Sequence, residues 1–386
     1  MNQRDRDAMI EFCQELVRTP SPSGNEGAVA ALIRKEMQEL NYDDVWVDEA
    51  GNVIGRIAGK DKSAPSLALT AHMDQVDVSA SEDWAHDPFG GEIDGGYLHG
   101  RGASDTKGAI AAQVYAASVL REMVLPHGDV YVAQVVLEET GGLGTEYMLS
   151  HFDTDYAVMG EGTGNELRIG NRGRVLVRMT FKGESMHSSA APPEDVLHYD
   201  VMDFLEKLKG LKMASGELGD SHVTPTLCTC DNPGSNVTPS QIEVSVDWRT
   251  VETESPDDVL SRLAGLSPDN ATAHIDPMVR DTYTGITLRS NRRQTSFYLP
   301  PDDPYVRGVK ASLEKKFDRE VPTSLWGFTT DCGYFTDQGV PIIGFSPCEE
   351  EYAHTSEDRV QISLMEEAVD GYAGIVKAVT QLPRRS

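Results

Sequence analysis

Leu67-Ala68-Leu69-Thr70-Ala71-His72-Met73-Asp74 reads as an apolar strand that ends in His-x-Asp, and what surrounds it decides the fold. Residues two apart on a strand point the same way, so Asp74 can reach the ring of His72 and hold its tautomer while the other ring nitrogen faces a metal. Outward from this run, short apolar segments bounded by turn residues lie at 45–47, 52–57, 130–137 and 156–159, and a helical apolar period covers 107–120. Strands and helices mixed in this way predict an α/β layer with a mostly buried sheet. Upstream, Ile10, Cys13, Leu16 and Val17 recur at helical spacing. A second helix (Val29, Leu32, Ile33, Met37, Leu40) follows Ser23-Gly24-Asn25-Glu26, which fits a capping box.

The texture changes at Arg174. Val175, Val177, Met179 and Phe181 alternate with polar residues as in a half-exposed strand. Residues 196–208 read as a helix, 223–230 and 241–249 as strands, and 256–263 as a helix with Ser255 as N-cap and Pro256 at its first position. A last strand over 271–279 completes β-α-β-β-α-β, the split ferredoxin-like α+β arrangement. The predicted organisation is therefore a first domain segment at 1–173, an inserted domain at 174–288, and a return to α/β texture at 289–386, with helices near 305–317 and 364–379 and a strand near 342–345.

A length of 386 residues fits two or three domains, and a hydrophobic fraction of 39% suffices for a sizeable core. The sum of 34 Lys+Arg and 62 Asp+Glu is −28, a field that repels a nucleic-acid backbone or an anionic membrane surface, so neither is an expected partner. No apolar run reaches membrane-spanning length, and the first residues, Met1-Asn2-Gln3-Arg4-Asp5-Arg6-Asp7, are charged where a secretory signal needs apolar side chains. A cytoplasmic location is the expectation. The five cysteines (Cys13, Cys228, Cys230, Cys332, Cys348) form no C-x-x-C pair and are odd in number, which supports neither a disulfide framework nor a thiolate metal site.

Further chemistry-bearing segments accompany His72 and Asp74. Gly100-Arg101-Gly102-Ala103-Ser104-Asp105-Thr106-Lys107-Gly108 sets one carboxylate among glycines just before a helix. Glu138-Glu139 ends the most apolar strand and runs into Thr140-Gly141-Gly142, a turn that lets both carboxylates face one cleft, one as metal ligand and one as proton shuttle. Glu161 follows another strand in Met159-Gly160-Glu161-Gly162-Thr163, and His354 lies in Tyr352-Ala353-His354-Thr355-Ser356. Ligands in open α/β sheets bind at the carboxyl ends of strands, where His72, Glu138, Glu139 and Glu161 all fall. Two histidines and three carboxylates without sulfur suit two divalent cations, such as zinc, that share a bridging carboxylate.

In these motifs, and in their order, the chain resembles the dinuclear-zinc amidohydrolases and exopeptidases that include aminoacylase, acetylornithine deacetylase, succinyl-diaminopimelate desuccinylase and carboxypeptidase G. The resemblance runs from the first helix to the last. It implies a zinc-peptidase-like catalytic domain with a mixed central sheet and an inserted lid and dimerisation domain, hence a homodimer. It further implies that Asp105 bridges two cations per chain, zinc or else manganese or cobalt. His72 and Glu161 would complete one site, and Glu139 and His354 the other. Asp74 would support His72, and the peptide after the bridging carboxylate, Asp105-Thr106, would be cis. The implied reaction is amide hydrolysis by water activated between the cations, with Glu138 as general base.

His187, in Gly183-Glu184-Ser185-Met186-His187-Ser188-Ser189, matches the family's lid histidine, which stabilises the oxyanion in the partner's active site. Asn236 and Arg249 match lid positions that contact the substrate, and Gly327 and Thr329 lie in the place of the C-terminal substrate loop. That loop reads Gly327-Phe328-Thr329-Thr330-Asp331 in place of Gly-Gly-Thr-Ser-Asp, and Glu357-Asp358 replaces Asn-Glu after the last histidine. Arg168, Arg172, Arg174 and Arg178 cluster at the domain junction, where they could orient an acidic substrate. The stretch Gly170-Asn171-Arg172-Gly173-Arg174 is similar to a subgroup linked to selenium metabolism. The expected activity is deacylation, of the deacetylase type, of an N-acyl amino acid or related small amide, with a dipeptidase or carboxypeptidase as the alternative. A catalytically lapsed metal-binding scaffold is disfavoured, because every ligand position and the base are present.

Overall fold

The computed structural model describes all residues except 79–82, 124–126, 233, 292 and 386. Leu67–His72 sits in the middle of a nine-stranded mixed sheet, between Val130–Val135 and Tyr156–Met159, and runs parallel to both. All six of its residues are buried, which explains a continuous apolar run where a half-exposed strand would alternate. The sheet extends through Val53–Ile57 to Asp44–Val47 on one side, and through Ile342–Gly344 and Leu167–Asn171 to Phe297–Tyr298 on the other, while Thr323–Trp326 pairs with Leu167–Asn171.

Helices Gln3–Arg18, Gly108–Met123, Pro304–Phe317 and Ile362–Val379 cover one face of this sheet, and Leu143–Leu149 with Cys332–Asp337 cover the other. Fully buried side chains such as Leu16, Leu69, Phe345 and Tyr372 carry this packing, and burial of each such group contributes roughly 2 kcal/mol. Among the described residues no helix is long and apolar enough to cross a membrane.

At Gly173 the chain enters a second sheet, in which Gly173–Lys182, His222–Cys230, Gln241–Thr250 and Ala271–His274 pair antiparallel. The first strand in sequence lies between the third and the fourth, with the second at the edge, the order of a split ferredoxin-like sheet. Alternate residues of Gln241–Thr250 are buried, so Ile242, Val244, Val246 and Trp248 form one face together with Val175, Val177, Met179 and Phe181. Helices Leu197–Lys209 and Pro256–Leu266 close over that face through Phe204, Val259 and Leu263. Ser255 caps the second of these helices in a complete capping box, with Pro256 in its first turn.

Two local expectations are corrected. Residues 271–279 are not one strand: Asp276-Pro277 interrupts them, and Met278–Asp281 pairs instead with Thr287–Ser290. This hairpin packs Met278 and Leu288 into the core of the first sheet. The Ser23 to Glu26 segment is not a capping box either. Glu26 precedes helix Gly27–Glu39 without a side-chain cap, and the hydroxyl of Ser23 donates to Asp74 Oδ2 at 2.7 Å.

Candidate metal centre

The three parallel strands at the middle of the sheet end on the same side, and their register levels the candidate ligands. His72 pairs with Val135 and Thr70 with Met159, so Glu161 falls beside His72, and Glu138 and Glu139 lie just past the neighbouring strand end. Asp105 enters from the turn before helix Gly108–Met123, and His354 from the loop that follows Glu350–Tyr352. The Asp105-Thr106 peptide is cis.

Asp105 reaches two ways. Its Oδ1 lies 2.8 Å from His72 Nε2 and its Oδ2 lies 3.0 Å from His354 Nε2. Two ligand clusters result, His72 with Asp105 and Glu161, and Asp105 with Glu139 and His354, and within each the ligand atoms lie within 4.8 Å of one another. Glu161 Oε1 is 3.6 Å from His72 Nε2, and Glu139 Oε2 is 3.1 Å from His354 Nε2.

Asp74 works differently from the expectation. The Nδ1 of His72 lies 2.9 Å from the backbone carbonyl of Asp74, but 3.6 Å from its carboxylate. The backbone therefore fixes the ring, and the carboxylate is committed elsewhere: it accepts the backbone N–H groups of Glu138 at 3.0 Å and Glu139 at 3.1 Å, as well as the Ser23 hydroxyl. Glu26 continues the pattern by accepting the N–H of Leu137 at 3.2 Å. Two buried carboxylates thus hold three successive amides and aim both glutamates at the cavity. On the opposite wall, Asp358 accepts from the backbone of Gly102 and Ser104 and pairs with Arg101, which clamps the loop that carries Asp105.

The electrostatics fit two divalent cations. Burial, reinforced by the charges of Asp331 and Glu161, pushes the Glu138 carboxyl well above the usual range, and burial lifts Glu161 to about 8. Burial also raises Glu139, against the hydrogen bond from His354. Burial works against ionisation of Asp105, but the hydrogen bonds of His354 and His72 outweigh it and hold this carboxyl well below its usual range. His354 is driven to about 10 by Asp105 and Glu139. This many carboxylates cannot ionise together around two imidazoles unless further positive charge enters, and a nitrogen and oxygen donor set without sulfur suits zinc or a similar ion.

A cavity of about 440 Å³ opens above the clusters, with Arg174, Arg249, Phe328, Thr329 and Glu350 in its walls. The Nε atoms of Arg174 and Arg249 each donate to Asp247 at 2.9 Å, so two guanidinium groups share one carboxylate and a surplus positive charge faces the cavity. Arg249 also donates to Thr329 Oγ1 at 3.2 Å. The arginine cluster divides. Arg168 pairs with Glu166, Arg172 bonds the carbonyl of Leu218 and Arg178 pairs with Glu243, which leaves Arg174 as the cavity member. Gly327 abuts Glu350, whereas His187 and Asn236 do not line the cavity and lie in two connections of the second sheet that meet at a bridge between His187 and Val237. Sequence reasoning missed Glu26 and Asp358 as supports of the site. Both stand in stretches that the sequence singles out for other reasons, Glu26 in the apparent capping box and Asp358 after the last histidine.

Residues 68–378 match peptidase family M20/M25/M40. The chain is 27% identical to the protein YgeY of Escherichia coli (strain K12) over 95% of this chain and 93% of that one. It is also 27% identical to the succinyl-diaminopimelate desuccinylase of Dinoroseobacter shibae, over 95% of this chain and 98% of the relative. Among solved structures it resembles aminopeptidase PepT from Bacillus cereus, with a TM-score of 0.76 at 17% identity over 97% of this chain and 98% of that one. The YXEP protein of Bacillus subtilis, described as a dinuclear metal binding peptidase, superposes with a TM-score of 0.69 at 16% identity over 98% and 99% of the two chains. The family match across most of the chain joins a pair of ligand clusters at the strand ends, and the chain belongs to peptidase family M20/M25/M40, as a metal-dependent hydrolase of the metallopeptidase and amidohydrolase type.

Proposed function

We propose that the protein hydrolyses the amide bond of an N-acyl amino acid or a related small anionic molecule. The observation that carries this reading is Asp105, which offers one oxygen to each of two histidine-carboxylate clusters beside Glu138. His72, Asp105 and Glu161 would hold one divalent cation, and Asp105, Glu139 and His354 a second, with zinc suited to both. Bound there, the cations would supply Lewis acidity toward a carbonyl and lower the pKa of water.

The chain's own groups do the rest. Glu138, whose burial raises its affinity for a proton, takes one from the attacking water and delivers it to the leaving nitrogen. Asp74 and Glu26 hold the backbone that aims it. Arg174 and Arg249 receive the carboxylate of the substrate, with Thr329 and Gly327 in the adjoining loop. The domain built on the second sheet acts as a lid and dimerisation element, and in a homodimer it carries His187 and Asn236 to the partner's cavity, where His187 steadies the oxyanion. A relative that is a desuccinylase supports an acyl substrate. Glu350 in the cavity wall favours the dipeptidase form of a second reading, exopeptidase activity, because its carboxylate can pair with a free amine.

The test is turnover of the metal-loaded protein on N-acetyl, N-succinyl, N-carbamoyl and dipeptide substrates, read by mass spectrometry beside Glu138→Gln. Cleavage of acylated amino acids that fails in the variant supports the proposal. Cleavage confined to free dipeptides moves the assignment to the second reading. Normal turnover by the variant removes Glu138 as the base.

A further inference from the structure

Among the described residues a third group of potential ligands, His86, Asp94 and His99, brings its ligand atoms within 4.8 Å of one another and shares no residue with the paired clusters. A two-residue hairpin builds it. Glu92–Asp94 pairs with Tyr97–His99 across Gly95 and Gly96, at φ 57° and 86°, values that the tight turn demands and glycine meets at least cost. Period two places Glu92 and Asp94 on one face, and the register sets His99 opposite Glu92. His86 arrives from the preceding loop and lays its ring 4.0 Å from that of His99.

The surroundings favour a ligand. The Nδ1 of His86 lies 2.9 Å from Glu92 Oε2, and a carboxylate on one ring nitrogen fixes the tautomer that leaves the lone pair on the other. Arg359, opposite His99 on the neighbouring strand, has its guanidinium over the rings of Tyr97 at 4.7 Å and Tyr352 at 4.3 Å.

We propose that His86, His99 and Asp94 form a third divalent-cation site, oriented by Glu92, for a borderline ion such as zinc or copper(II). Two imidazoles and a carboxylate match the preferences of those ions and leave a coordination position to water. The site is partly open to solvent, so it binds more weakly than the buried pair. Its occupancy pins the loop at His86 to the hairpin whose last residue, His99, precedes Gly100, where the loop bearing Asp105 begins.

Equilibrium dialysis against zinc tests this with the full chain. Wild type is expected to bind one equivalent per chain more than His99→Phe, which keeps a ring against His86 and removes both nitrogens, and Asp94→Asn should weaken the same equivalent. The comparison is a difference, so it stands whatever number the paired clusters take up. Equal binding by wild type and a folded His99→Phe overturns the proposal. If that variant does not fold, the imidazole NMR signals of wild type decide: zinc in excess of the buried pair should shift or broaden both His86 and His99, and unmoved signals overturn the proposal equally.

Discussion

Glu26→Gln should make the protein more stable at alkaline pH and leave it nearly unchanged in mild acid. The Glu26 side chain is fully buried, its Oε1 accepts from Gly24 and Leu137, and its Oε2 has no partner among the described residues. Burial first, and the charge of Asp74 second, raise its carboxyl from 4.5 to about 7. Between those values the folded chain holds a proton that the unfolded chain has released. The stabilisation from that proton is therefore complete below pH 4.5, declines as pH rises, and is gone above about pH 7. A rise of about 2.5 pH units at about 1.4 kcal/mol each amounts to about 3 kcal/mol. Gln carries no charge, so the variant lacks this decline. The assay is thermal unfolding of both proteins in EDTA from pH 4.5 to 8.5, which removes metal uptake as a variable. At roughly 2–4 °C per kcal/mol for a mid-sized domain, the variant should melt several degrees above wild type at pH 8, and the gap should close below pH 5. A gap that stays constant with pH, or a variant that melts lower at pH 8, would refute the reasoning.

Other outcomes follow from the same geometry. Glu138→Gln should keep both cations and lose about 10²- to 10⁴-fold in turnover, measured with metal content on the same sample. Cation uptake at pH 8 should release protons, because His354, raised to about 10 by Asp105 and Glu139, must shed its proton to ligate, and calorimetric enthalpies in buffers of different ionisation heat will show it. Asp358→Ala leaves the buried Arg101 and two loop amides without their acceptor and should cost about 3–5 kcal/mol by denaturant titration. Trp248→Ala opens a cavity under the helices of the second sheet and should cost about 3–5 kcal/mol, with Trp fluorescence and denaturant midpoint as the readouts.

What was legible in the sequence was what depends on local period and strand ends. The run at 67–72 announced a buried central strand because, apart from Thr70, its side chains are apolar up to the histidine that ends it, and the alternation at 175–181 announced a strand with one packed face. Of the five candidate ligands, His72, Glu139 and Glu161 stood out because parallel strands deliver their last residues to one edge, a rule that needs no knowledge of loop conformation, whereas Asp105 and His354 come from loops and stood out by their motifs. Where several partners compete for one polar group, the sequence is silent. Ser23-Gly24-Asn25-Glu26 satisfies the local rule for a helix cap, yet Asp74 lies within reach of Ser23, and Glu26 is drawn instead to the amide of Leu137, so tertiary contacts win over the cap.

The arginines follow the same logic. On Gly173–Lys182, Arg174 and Arg178 share a face, but each meets a different carboxylate across the ladder, Asp247 near the cavity and Glu243 away from it, and only the former position can meet substrate. His86 and His99 were invisible as a pair because they converge only after a glycine turn folds the hairpin and the loop lays one ring on the other. A functional site on parallel strand ends can therefore be read from spacing. A site made by a loop laid across a hairpin needs the fold first, and the proposed third cation site belongs to that second kind.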